Sequence, residues 1–294
     1  MRKIYLLTFL FFTALIGLKA QTNTNDYLNL EPLKQFKYKS NIIYKTVNGE
    51  DLDMVLFLPK VKKYTKTPVM LFTHGGGFSS GDKYKILLPS FAETLKILTE
   101  NGVACAAIEY RLVRPGTSTK YDCVVDCKDA GRFLVKNAEK YGLDPKKMGT
   151  WGGSAGGNLC LLTALASNDK FLGDPSLKNF DADYNCVVAY FPTTNYLTPT
   201  GIAHLGGETA KLLSPITYLK KNSPTILLIH GDADKAVPIQ QSYYLLEASQ
   251  KIGARVEMLT VKGAGHSLKG INIQPSMSEV NSISAQFMMN QLLK

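Results

Sequence analysis

The chain has 294 residues, 45% hydrophobic and 20% charged, with a formal net charge of +10. That balance, with 15 Tyr, 13 Phe and no low-complexity stretch, excludes a disordered or repeat protein and supplies one large domain or two small ones. Its Lys residues are scattered along the chain, so the surplus reads as solubilising surface charge, and nucleic acid is not an expected partner.

Residues 1–20 start with Arg2 and Lys3, run apolar over 4–18 and end in Lys19-Ala20. This is the build of a secretory signal peptide, with cleavage expected after Ala20. The apolar run falls short of the ~20 residues a membrane span needs, so stable membrane insertion is not expected after cleavage. The leader carries three basic residues and no acidic one, which takes +10 to +7 in the mature chain. The expected location is outside the cytoplasm, in periplasm or medium.

A polar stretch over 21–39 leads to β-rich runs at 42–46 and 52–58, a predicted hairpin with Asn48-Gly49 at its turn. Further runs at 69–73, 104–110, 147–151, 187–191, 225–229 and 256–261 are apolar or β-branched, and several lack polar alternation, as strands buried on both faces do. Helical patterns at 91–101, 123–141, 155–167, 240–252 and 276–293 fall between them. Strand alternating with helix predicts an α/β domain over 21–294. Its sheet is mostly parallel, of about eight strands, with helices on both faces and an antiparallel hairpin in front. Residues 195–224 break the rhythm with Gly201, Gly206-Gly207 and Leu213-Ser214-Pro215. They read as a short inserted cap or lid, or else as a connecting loop.

Five cysteines lie along this pattern: Cys105, Cys123, Cys127, Cys160 and Cys186. An odd number leaves at least one thiol free even in an oxidising compartment. Cys105, Cys160 and Cys186 fall inside apolar runs and are expected in the core. Cys123 and Cys127 sit four apart in a predicted helix, an uncommon disulfide geometry. No Cys/His spacing matches a zinc site.

Gly152-Gly153-Ser154-Ala155-Gly156 has the G-x-S-x-G pattern, with a predicted strand before it and a helix after it. A turn that lifts a serine hydroxyl clear of a sheet has to be sharp, and its flanks have to be nearly bare. His74-Gly75-Gly76-Gly77 follows the strand at 69–73. Glycines there let backbone N–H groups approach a developing oxyanion. The candidate oxyanion hole is therefore the N–H of Ala155 with that of Gly76 or Gly77, and His74 is read as a brace for its loop. A Walker loop is the other reading of these glycines, but the segment over 77–83 lacks its spacing and its final Ser/Thr.

A catalytic acid and a His have to follow the serine in chain order. His230-Gly231-Asp232-Ala233-Asp234 closes the strand at 225–229, and Gly263-Ala264-Gly265-His266-Ser267 closes that at 256–261. Both lie at carboxyl ends of predicted parallel strands, where open α/β sheets gather their sites. Asp234 is preferred to Asp232, which would fall within the turn. Of the four His, His74 and His230 are embedded in loop motifs and His204 lies in the 195–224 segment, leaving His266. The candidate catalytic set is Ser154, Asp234 and His266.

These motifs, together with Gly81-Asp82-Lys83, Tyr110-Arg111-Leu112 and Leu213-Ser214-Pro215, resemble the small esterases related to hormone-sensitive lipase. Within that group the likeness is to the bacterial feruloyl-esterase and acetylxylan-esterase type, and it runs from about residue 42 to the carboxyl end. The resemblance implies the α/β-hydrolase fold and a serine carboxylesterase acting without cofactor or metal. It also implies a small-molecule or oligosaccharide ester as substrate: a short-chain acyl or feruloyl ester on a sugar derived from plant polysaccharide. Two residues depart from the pattern. Phe78 stands where many relatives carry Trp, and Asn195 where an acid is common; both are expected to bear on the pocket. Two other functions fit the same motifs. An exported serine peptidase on this fold would carry the same triad, and a non-catalytic binding module would keep the fold but typically lose a triad member.

Overall fold

In the computed structural model, which describes residues 31–293, the chain opens with an antiparallel hairpin of β1 (Lys37–Val47) and β2 (Glu50–Leu58). The expected leader over 1–20 lies outside the described residues. The hairpin turn is Asn48-Gly49, with φ of 52° and 80°, the left-handed pair that Asn-Gly adopts most readily. Six more strands follow: β3 (Thr67–Thr73), β4 (Ala104–Ile108), β5 (Leu143–Gly153), β6 (Cys186–Tyr190), β7 (Thr225–Gly231) and β8 (Val256–Val261). Among the described residues they complete one eight-stranded sheet in the order β1-β2-β4-β3-β5-β6-β7-β8. The first three strands in that order pair antiparallel, and every pairing from β4 to β8 is parallel. This is the α/β-hydrolase fold.

Alternate residues of each inner strand feed two cores. Met70, Phe72, Trp151, Val188 and Ile229 face α1 (Pro89–Glu100) and α8 (Met277–Leu292). Val69, Leu71, Ala106 and Met148 face α2 (Lys120–Lys136) and α4 (Ala155–Leu165). Towards the β8 edge, Val187, Ala189 and Leu228 meet α4 and α7 (Gln240–Ile252). Strands β3, β4 and β6 are buried at every position, which is why they read as unbroken apolar runs.

Three boundaries differ most from the sequence reading. The helix expected over 123–141 is two helices, α2 and α3 (Ala138–Tyr141), parted at Asn137. The Asn137 side chain and backbone N–H both donate to the Phe133 carbonyl, at 2.9 and 3.0 Å, and so close the end of α2. Strand β5 begins at Leu143, which pairs with Thr67; Asp144 and Lys146 hide that start by interrupting the apolar pattern. Strand β1 begins at Lys37, inside the stretch read as polar, because as an outer strand it needs little apolar character.

The segment 195–224 holds α5 (Pro199–Leu205) and α6 (Gly207–Leu212). Leu205, Leu212 and Leu213 pack onto the core beside α2 and α4. From α4, the Asn158 amide donates to the carbonyls of Thr193, just before the segment, and Leu213, within it, at 2.8 and 3.2 Å, tying it to the scaffold.

One further feature was not legible beforehand. The buried carboxylates Asp126 and Asp129 on α2 take Lys45 of β1 at 2.8 and 2.7 Å, Arg111 at 2.8 Å and Arg132 at 2.9 Å. Each buried charge therefore has a partner, and the hairpin is fastened to α2. All five cysteines are free and buried, and burial pushes each thiol above its ordinary pKa. Among the described residues no helix is long and apolar enough to cross a membrane.

Candidate active site

The carboxyl ends of β3, β5, β7 and β8 converge on one point. Strand β5 runs into Ser154, whose φ of 59° and ψ of −121° make it a sharp turn before α4 starts at Ala155. A non-glycine residue held there is strained, and such strain persists only where the surroundings impose it. Here the Ser154 N–H donates to the Tyr190 carbonyl at 2.9 Å. Two residues on, α4 crosses so close to β3 that a Cβ on Gly156 would stand 2.0 Å from the Thr73 carbonyl oxygen. That is why this flank is bare.

His266 Nε2 lies 3.0 Å from Ser154 Oγ, and its Nδ1 lies 2.7 Å from Asp234 Oδ2. The carboxylate can only accept, so Nδ1 carries the proton and donates it to Asp234. Nε2 is left with a lone pair facing the hydroxyl, whose O–H donates to it. The other oxygen of Asp234 accepts the backbone N–H groups of Ala236 and Val237 at 2.8 and 2.9 Å. The buried carboxylate is thus satisfied on both oxygens. The Phe191 ring meets the His266 ring edge-on, centroids 4.8 Å apart, and limits how far the imidazole can swing. Asp232 plays a different part: it is exposed, and its carboxylate accepts the Gly263 N–H at 2.8 Å, pinning the loop that delivers His266.

The remaining histidines stand outside this relay. His204 is exposed at the end of α5. His230 is buried, with Nδ1 2.8 Å from Ser242 Oγ and Nε2 2.9 Å from the Val237 carbonyl. Burial lowers its pKa, so it stays neutral and Nε2–H donates to that carbonyl. His74 stacks on Tyr110 with centroids 4.2 Å apart. Its Nε2 lies 3.7 Å from Glu109, too far for a hydrogen bond, and that carboxylate is held by Lys83 at 3.0 Å. Burial therefore dominates and lowers the His74 pKa to about 3.

Above Ser154 is a cavity of about 340 Å³, walled by Gly76, Gly77, Lys85, Phe91, Phe191 and Ser267 among others. Gly76 and Gly77, with φ of 132° and 62°, border it beside the nucleophile. Ala155 is the first residue of α4, so its N–H has no partner within the helix. A second cavity of about 660 Å³ shares the walls Leu88, Ser90 and Ser267 with the first. Neither cavity draws lining residues from 195–224.

The expectation that Phe78 and Asn195 bear on the pocket is not met. Phe78 is buried in the core, with the Lys120 ammonium 4.9 Å from its ring centre. The Asn195 side chain turns back to accept the Leu197 N–H at 2.8 Å. The walls that do form, Lys85, Leu88, Ser90 and Phe91, come from a short helical turn (Lys83–Leu87) and the start of α1. No spacing in the sequence marked them. Their only signal was their place directly after the glycine loop.

Comparison with known proteins is consistent with this geometry. The family model BD-FAE matches residues 52–248, a span that takes in Ser154 and Asp234. The chain is similar to "Esterase LipC" of Mycobacterium tuberculosis, 25% identical over 86% of this chain and 68% of that protein. It is similar to "Probable carboxylic ester hydrolase LipM" of the same organism, 28% identical over 60% of this chain. That alignment spans 43% of LipM, so well over half of that relative lies beyond it. Among solved structures, Thermogutta terrifontis esterase 2 superposes with a TM-score of 0.74 at 24% identity, covering 86% of this chain and 94% of that one.

Proposed function

The chain belongs to the BD-FAE family, and from that footing we propose that it is a serine carboxylesterase of the group related to hormone-sensitive lipase. The observation that carries the reading is the unbroken relay from Asp234 Oδ2 through His266 to Ser154 Oγ, at 2.7 and 3.0 Å. The esterase names of LipC and LipM, at 25% and 28% identity, point the same way.

In the proposed cycle Ser154 Oγ attacks the ester carbonyl while its proton passes to His266 Nε2. The imidazolium so formed keeps its Nδ1–H on the Asp234 carboxylate, which stabilises the positive charge. The carbonyl oxygen becomes an oxyanion and rests on the N–H groups of Ala155 and of Gly76 or Gly77. His266 then gives its proton to the departing alkoxide. Water enters, loses a proton to the same nitrogen and attacks the acyl-enzyme, releasing the acid and regenerating Ser154.

The acyl group proposed is short-chain or feruloyl, on an alcohol belonging to a plant-polysaccharide-derived sugar. The likeness to the feruloyl- and acetylxylan-esterase type supports this. So does the room available: about 340 Å³ over Ser154, with about 660 Å³ adjoining for the rest of the substrate. Export is proposed from the character of residues 1–20. The test is release of p-nitrophenol from acetate, butyrate and octanoate esters by the mature chain beside Ser154→Ala. Fast turnover of the short esters that disappears in the variant supports the reading. No turnover of any ester by folded protein overturns it.

A further inference from the structure

Two lysines of one helical turn have opposite electrostatic surroundings. Lys83 is neutralised by two carboxylates, Asp53 at 2.9 Å and Glu109 at 3.0 Å. Lys85, two residues on, has no carboxylate within 4 Å among the described residues; its Nζ donates to the Gly75 carbonyl at 3.2 Å. This leaves two of its three N–H donors without a protein partner. The ammonium is also packed closely on one side. It lies against Gly81, where a Cβ would come within 2.7 Å of Nζ and 2.9 Å of His74 Nδ1. His74 itself stays neutral, its pKa lowered by burial and further by Lys85. The ammonium is thus held on a carbonyl of the glycine loop, in the wall of the cavity that contains Ser154.

The walls around it are complementary in a specific way. The first cavity is otherwise lined by glycines, Ser90, Ser267, Leu88, Phe91 and Phe191, with Ser154 and His266 at the reacting end, and the walls of the second include Lys269. No Asp or Glu lines either cavity. A cation in a mostly apolar wall without a counter-charge is a recognition element for an anion, because the substrate would then supply the missing partner in a partly desolvated place.

We propose that Lys85 selects esters bearing a carboxylate, whose negative group docks on the Lys85 ammonium while the ester carbonyl lies at Ser154. This rests on the ester-hydrolase reading above. The carboxylate can belong to the alcohol, as in an acylated uronic acid, or to the acyl group, as in a half-ester of a dicarboxylic acid. Lys85 is a specificity-determining residue and takes no part in the bond changes.

Two matched pairs separate these sources: 4-acetoxybenzoate against 4-acetoxybenzamide, and mono-p-nitrophenyl adipate against its methyl ester. The readout is the ratio of kcat/KM, anionic over neutral, for the wild type, Lys85→Met and Lys85→Glu. The expected result is a ratio that falls about ten- to hundredfold in Lys85→Met, the range of one hydrogen bond to a charged group, and falls further in Lys85→Glu, for at least one pair. The pair that responds identifies which side carries the charge. The wild-type ratio should also shrink as salt rises. If Lys85 merely braced the Gly75 carbonyl, its variants would lower both members of each pair together, and a ratio unchanged in both pairs overturns the proposal. Calorimetric titration of the same compounds into Ser154→Ala, with and without Lys85→Met, reads the preference without turnover. A wild type that cleaves neither pair refutes the hydrolase reading. Equal affinity of Ser154→Ala for charged and neutral partners refutes the role of Lys85.

Discussion

His230 and Asp234 meet inside one turn: His230 Nε2 lies 3.4 Å from Asp234 Oδ2, the same oxygen that His266 Nδ1 holds at 2.7 Å. Because Nε2–H also reaches the Val237 carbonyl at 2.9 Å, His230 fastens the loop whose amides grip the other oxygen of Asp234. A histidine that looked like part of a loop motif is a positioning residue for the acid.

His230→Leu should therefore lower kcat by roughly tenfold and cost about 2–4 kcal/mol of stability, from the polar groups it leaves unpaired. Asp234→Asn should cost about 10⁴ in kcat with the fold intact, because an amide favours the wrong imidazole tautomer. Urea melts and initial rates on one ester decide this. Equal losses of kcat in the two variants would contradict the indirect role of His230.

Ser154→Ala and His266→Ala should each remove about 10⁴–10⁶ of kcat, and the double variant little more, because members of a relay act as a unit. Additive losses in a kinetic cycle would show that the two residues do not share one step.

The glycine loop gives a paired steric test. A Cβ on Gly76 would stand 1.9 Å from the Ser80 carbonyl oxygen, whereas one on Gly77 meets nothing nearer than Ser79 Oγ at 3.9 Å. Gly76→Ala should displace the loop and lower kcat about 10²-fold or more, the scale of a lost oxyanion donor. Gly77→Ala should be far milder. The reverse order in steady-state rates would refute this account of the loop.

His74 predicts an acid sensitivity of the fold. Its pKa is about 3 in the folded chain and about 6.5 when unfolded. Between those values the unfolded chain binds the extra proton, so stability is full above about pH 6.5 and declines as pH falls. The loss from this group is about 1.4 kcal/mol per pH unit, or about 2 kcal/mol from pH 6.5 to 5. The depressed pKa of His230 acts in the same direction. Chemical denaturation at pH 7 and 5 should show a smaller drop for His74→Gln than for the wild type. Parallel drops would place the acid sensitivity elsewhere.

The sequence made the scaffold legible where burial is two-sided. Strands β3, β4 and β6 declare themselves as apolar runs, and the ordered appearance of Ser154, Asp234 and His266 at strand ends located the site. Lys45 and Asp129 could not be paired from sequence, since they come together only when the hairpin lies across α2. The pocket walls were hidden for a related reason. Ser90 reaches the Ser267 carbonyl, at 3.0 Å, across 177 positions of chain, and neither residue type signals such a contact. Phe78 and Asn195 were expected at the pocket from resemblance alone; core packing took the Phe78 ring, and the Leu197 N–H took the Asn195 side chain.

The five inward-facing thiols make this chain its own unfolding reporter. With every sulfur buried and its thiolate disfavoured, an alkylating reagent in excess can label only molecules that have opened. Mass shifts collected over time then read opening without an engineered probe: its rate where alkylation outpaces reclosing, and its equilibrium where reclosing is faster. A chain whose five sulfurs are all free when folded also has no pairing order to find, so reductant present during refolding breaks no native bond.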